Sequence, residues 1–140
     1  MNIKKYLHLS YDFTNINGVS CFGLYAKIMN DVFNIEHLGE EERADSEIKT
    51  PSVQEAAAVF AVQLKEIDSG NSKFVEIDKP EDYCLVVMHA VRKKIDFYHC
   101  GMWYNKKIIH AKGHGHKGKV WYEHPSKLKD FEMRFFRYVN

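Results

Sequence analysis

Three cysteines, at positions 21, 84 and 100, and eight histidines are the side chains of this 140-residue sequence best suited to nucleophilic chemistry. Cys21 stands in "NGVSCFGLY", between the turn residue Gly18 and the first apolar positions of a helical stripe. The unpaired N–H groups and dipole of a helix N-terminus favour a thiolate, which is the form that attacks carbonyl carbon. A free cysteine is more often a small buried hydrophobe, so placement alone does not separate packing from attack. Thiol catalysis also needs a base, usually histidine, and a polar group that fixes the orientation of its ring. In "DFYHCGMWYNKKIIHAKG" one strand carries His99 and the next carries His110. A two-residue loop at Asn105 and Lys106 sets position 101 opposite 110 and makes His99 and His110 diagonal neighbours on one face. Phe97, Gly101 and Trp103 share that face with His99, while Tyr98, Cys100 and Met102 point the other way. A polar ring in so apolar a stretch requires a partner.

The elements that must position these residues follow from periodicity. "CFGLYAKIMNDVF" repeats apolar residues at Leu24, Ile28 and Val32, with Tyr25, Met29 and Phe33 one position on, which predicts a helix with Cys21 in its first turn. The acidic stretch from Glu40 to Glu47 reads as an exposed loop. A second helix is expected over "TPSVQEAAAVFAVQLKEI", where Thr50 is a candidate N-cap, Pro51 takes the first helical position and Ser52 stands three residues before Glu55. From residue 73 the pattern changes to short β-branched and aromatic runs, "FVEI", "YCLVVMHAV", "KIDFYHCGMWY", "KIIHA", "GKVWYEH" and "FEMRFFRYV", which predict an antiparallel meander. The expected fold is α+β, with N-terminal helices packed on an antiparallel sheet in a single domain.

Composition narrows the function. With 45% hydrophobic and 28% charged residues and no repeat or low-complexity tract, the chain is ordinary globular material. No stretch has the length of apolar residues that crosses a bilayer, and "MNIKKYLHLSYDF" lacks the apolar core of a secretory leader, so neither membrane insertion nor Sec export is expected. Three cysteines are too few for a disulfide framework and suit a reducing compartment. Charge is uneven: residues 1 to 91 hold 8 Lys/Arg against 15 Asp/Glu, and residues 92 to 140 hold 12 against 4. The net charge is only +1 and the lysines are scattered, which argues against nucleic acid as the partner.

The same residues resemble the NlpC-type cell-wall peptidases, papain-like cysteine endopeptidases of bacteria and their phages. "GVSCFGLYAKI" is similar to the Cys-Trp-Gly-Leu nucleophile motif of the phage tail members, with Phe22 in the aromatic position; Ser20 replaces the usual Asp. "KPEDYCLVVM", with Asp82, resembles their Pro-Gly-Asp block, although Glu81 replaces the Gly. "HCGMWY" resembles His-Val-Gly-Ile-Tyr, "IIHA" the strand ending in His-Ala, and "MRFFRYV" the closing aromatic-Arg segment. The resemblance implies a papain-like fold with Cys21 as nucleophile, His99 as base, His110 as orienting residue, and Tyr11, Ser20, Phe22 and Trp103 lining the substrate site. It further implies peptidoglycan stem peptides as substrate, commonly cut between gamma-D-glutamate and a diamino acid. No cofactor is expected, the implied partners are phage tail-tip proteins, and the location is the virion after cytoplasmic synthesis.

Two alternatives stand beside this. One is a structural tail component of the same fold with an inactive site. The other is a metal-binding protein, since "HAKGHGHKG" sets His110, His114 and His116 at spacings that hold zinc or nickel. The glycines make that stretch read as a loop, and no CxxC pair completes a structural site.

Overall fold

The computed structural model describes residues 1–12, 18–36, 38, 65, 69, 73–112 and 118–139. Within them one α-helix, α1 (Cys21–Phe33), packs on a six-stranded antiparallel sheet, an α+β arrangement. The strands are β1 (Phe74–Ile77), β2 (Leu85–Arg92), β3 (Ile95–Tyr104), β4 (Lys107–Lys112), β5 (Lys119–Glu123) and β6 (Glu132–Tyr138). The expected second helix, the acidic loop and the His114/His116 stretch lie outside the described residues, apart from Lys65 and Ser69, where the Ser69 N–H donates to the Lys65 carbonyl at 2.9 Å.

Local signals set the ends of α1. Ser20, extended at φ −79°, accepts the Gly23 N–H on its side-chain oxygen at 2.9 Å, satisfying one of the donors that every helix start leaves open. Asn34 closes the helix in the left-handed region at φ 57°, which asparagine tolerates, and its N–H donates to the Asn30 carbonyl. Leu24, Tyr25, Ile28 and Met29 are fully buried against the sheet, each contributing roughly 2 kcal/mol. The apolar stripe outruns the contact, however, and Val32 and Phe33 in the last turn are exposed. Phe33 still meets the Tyr83 ring edge-on at 4.8 Å.

The strand order is β1-β6-β2-β3-β4-β5. All six expected strands form, and β2 to β5 make the expected meander, but β6 inserts between β1 and β2. Burial explains the insertion, since Phe136 of β6 is 1% exposed and sits between Glu76 of β1 and Leu85 of β2. Two tight turns fix the registers. Asn105 and Lys106 (φ 48° and 66°) pair Tyr104 with Lys107 and Met102 with Ile109, so that Gly101 falls opposite His110 as the two-residue loop requires. Lys93 and Lys94 (φ 50° and 65°) do the same for β2 and β3, pairing Arg92 with Ile95 and His89 with Tyr98. The Asp82 carboxylate accepts the Asn105 N–H at 2.9 Å and pins the first of these turns.

Both faces of the sheet are apolar. On one, α1 covers Leu85, Val87, Cys100, Met102, Ile109, Ala111, Val120 and Phe136. On the other, Val86, Met88 and Ile108 pack with Leu128, Phe131, Met133 and Phe135, the first two of these supplied by the segment between β5 and β6. Because strand side chains alternate, every residue of β3 belongs to one face or the other.

Candidate active site

Cys21 is the first residue of α1 and is partly exposed, whereas Cys84 and Cys100 are 2% and 0% exposed. Burial pushes the Cys84 thiol up to about 11. The chain reaches Cys21 along β5: the Tyr11 N–H donates to the Gly118 carbonyl, Tyr11 bridges to Val19, and Val19 leads into the helix. Tyr11, expected to line the site, is therefore a neighbour of the Cys21 segment through its backbone. Ser20, also expected to line the site, is 1% exposed with its hydroxyl capping α1. Phe22 stacks on Tyr25 at 5.9 Å and meets Phe74 at 6.4 Å.

His99 and His110 come together as the register requires. His99 Nε2 and His110 Nδ1 are 2.7 Å apart, and His110 Nε2 lies 2.9 Å from Glu123 Oε1. Glu123 is paired with Ile108 on β5 and so shares the face of His110. The proton count favours a chain in which His110 donates from Nε2 to the carboxylate and accepts on Nδ1 from His99. Burial holds His99 neutral well below the usual imidazole range, and the neighbouring His110, Lys112 and Arg92 act in the same direction. Burial also lowers His110, against the pull of Glu123. Gly101 is required here: a Cβ at that position would come within 2.8 Å of the Ile109 carbonyl and 2.9 Å of His110 Cβ.

His99 and His110 lie on the sheet face opposite the one that Cys21 packs against. His99 is cross-paired with Met88 and its ring lies 6.4 Å from Phe131, both on the face away from α1. Trp103, also expected to line the site, belongs to the same far face and packs on Phe135. The residues of β3 that look toward α1 are Tyr98, Cys100 and Met102. The reason is the period of two: both faces are apolar enough to receive a helix, and packing Cys100 and Met102 under α1 turns His99 and Gly101 outward.

A second imidazole–carboxylate pair occupies the α1 face. His89 Nε2 lies 2.8 Å from Asp96 Oδ1, and the His89 ring stacks on Tyr98 at 4.6 Å. His89 follows Val87 by two residues on β2 and so shares its face. Sequence reasoning missed this pair and Glu123. The Lys93–Lys94 turn could have revealed the first, because a two-residue turn there makes His89 and Asp96 diagonal neighbours in the same relation as His99 and His110. Glu123 has no such signal, since the loop between β4 and β5 hides the register from the sequence. Among the described residues no group of three or more His, Cys, Asp or Glu side chains is arranged to hold a metal ion. No described helix is long and apolar enough to cross a membrane.

Comparison with known proteins returns no matching family model, no matching curated sequence and no matching solved structure.

Proposed function

We propose that this chain is a papain-like cysteine peptidase of the cell-wall type, carried by a phage tail, that hydrolyses peptidoglycan stem peptides with Cys21 as its nucleophile. The observation that carries the reading is the placement of Cys21: it is the partly exposed first residue of a capped helix, while the other two thiols are buried. At such a helix start Ser20 engages the N–H groups of Gly23 and Leu24, leaving those of Cys21 and Phe22 outside the helical ladder. Donors so placed stabilise the oxyanion that forms when a thiolate adds to a carbonyl. The motif around Cys21, and the order of the blocks that follow it, supply the substrate class: a stem peptide, cut between gamma-D-glutamate and a diamino acid.

A second reading is favoured by one observation: Cys21 packs against one face of the sheet and the His99–His110 pair belongs to the other. In that reading the chain is a tail-tip component of the same fold that does not hydrolyse its target. Incubating the protein and its Cys21→Ala variant with peptidoglycan sacculi, and analysing soluble products by mass spectrometry, separates the two. New peptide fragments from the unaltered protein alone are expected. The same products from both would reject Cys21 as nucleophile, and no products from either would leave the structural reading.

A further inference from the structure

We propose that residues 124–131, the segment that joins β5 to β6, form a strap that mild acid opens, with the buried His99–His110 pair as its trigger. Both ends of the strap are joined to that pair. Where it leaves β5, the Glu123 carboxylate lies 2.9 Å from His110 Nε2. Where it enters β6, the Phe131 ring lies 6.4 Å from the ring of His99 and 5.9 Å from that of Phe97.

Among the described residues the remaining fastenings are few. Leu128, 4% exposed, packs with Val86, Met88 and Ile108 on the sheet. The backbone bonds of the segment close its own turns: the Lys127 N–H donates to the His124 carbonyl at 3.0 Å and the Phe131 N–H to the Leu128 carbonyl at 3.1 Å. His124 caps the first turn, its Nδ1 accepting the Ser126 N–H at 3.1 Å. A segment bonded to itself and anchored through two apolar side chains can open without breaking a hydrogen bond of the sheet, and so at less cost than the whole fold.

The surroundings of His99 make the closed strap intolerant of a proton there. On β2, the Arg92 guanidinium lies 4.8 Å over Phe97 and 5.2 Å over Phe131, and it pairs with Asp130 of the strap at 3.5 Å. Burial keeps His99 neutral, and His110 and Lys112 of β4 act in the same sense as Arg92. Lys119 of β5 is cross-paired with Lys112. To this face β6 offers Met133 and Phe135, neither of them charged. Glu123 supplies the carboxylate of the imidazole chain, and it is bonded to His110. A proton gained by His110 is therefore partly compensated, whereas one gained by His99 adds a third cation to Arg92 and Lys112, held out of water against Phe131.

Opening returns His99 to water, where an imidazole titrates at about 6.5. Above that pH the open and closed forms bind the same number of protons and the strap stays closed; below it the open form binds more, and the strap opens as the pH falls. An imidazole neutral when closed and free to titrate when open raises the opening equilibrium about tenfold between pH 7.5 and 5.5. His124 is the competing trigger, since a proton on its Nδ1 removes the acceptor of the Ser126 N–H.

Hydrogen exchange read by mass spectrometry across the pH range, with labelling times scaled for the intrinsic pH dependence of amide exchange, tests this on the full chain and on His99→Gln and His124→Asn. Asparagine is itself a good cap, so His124→Asn removes that titration and keeps the turn. At each pH, peptides reporting the bonded N–H groups of Lys127 and Phe131 are expected to exchange faster than those of α1, the mark of an opening short of global unfolding. In the unaltered protein and in His124→Asn they are expected to exchange about tenfold faster at pH 5.5 than at pH 7.5, and in His99→Gln that rise is expected to vanish. A rise that survives His99→Gln, or one lost in His124→Asn, overturns the inference. Protection equal to that of α1 overturns it as well, since the strap would then open only with the whole fold. Should His99→Gln fail to fold, the profile of His124→Asn decides: a rise that starts below about pH 6.5 supports the imidazole trigger, and one confined to the carboxylate range, below about pH 4.5, overturns it.

Discussion

Lowering the pH from 7.5 to 5.5 should destabilise this fold through its buried imidazoles. In the unfolded chain a histidine titrates near 6.5. In the folded chain burial keeps His99 neutral well below that value, and it depresses His110 in the same sense. Below pH 6.5 the unfolded state therefore binds more protons than the folded state, so stability is full above that pH and falls as the pH drops through it. One pH unit below 6.5 removes about 1.4 kcal/mol for an imidazole that stays neutral on folding. At pH 5.5 the loss from His99 is then on the order of 1 kcal/mol. His110 adds up to a similar amount, reduced by the Glu123 carboxylate that favours its charged form. Urea unfolding followed by tryptophan fluorescence at pH 7.5, 6.5 and 5.5 measures this, and the His99→Gln variant isolates the His99 share. Expected is a drop of about 1 to 3 kcal/mol in the unaltered protein and a dependence smaller by about 1 kcal/mol in the variant. Equal stability at pH 7.5 and 5.5, or an undiminished dependence in His99→Gln, would refute the reasoning.

Other outcomes follow from particular contacts. Iodoacetamide should label Cys21 first under native conditions, with Cys84 and Cys100 protected until the protein unfolds; peptide mapping after timed quenching reads the order. Gly101→Ala should cost about 1–3 kcal/mol by chemical denaturation, since its Cβ meets the Ile109 carbonyl at 2.8 Å and the Ile108 and His110 side chains at 2.9 Å. Ser20→Ala should cost about 1 kcal/mol through loss of the cap on α1, measured in the same way, while the longer side chain of Ser20→Asp retains most of it.

Much of the fold was legible because its signals are local. The stripe from Leu24 to Met29 marked α1, and the change to β-branched and aromatic runs marked each of the six strands. The pairing of His99 with His110 was legible too, because a two-residue turn at Asn105 and Lys106 admits one register. What was not legible depends on longer range. The position of β6 between β1 and β2 is set by the burial of Phe136, which no local pattern specifies. The side of the sheet on which α1 lies is likewise hidden, since Cys100 and Met102 on one face and Val86, Met88 and Ile108 on the other are equally able to receive a helix.

Tyr98 shares the face that Cys21 packs against, and His99 points to the other. Introducing cysteine singly at Tyr98 and at His99, treating each protein with a short bismaleimide and mapping linked peptides by mass spectrometry tests it directly. A Cys21 crosslink to position 98 and none to position 99 is expected. A crosslink to position 99 and none to 98 would place Cys21 on the side of the His99–His110 pair and contradict it.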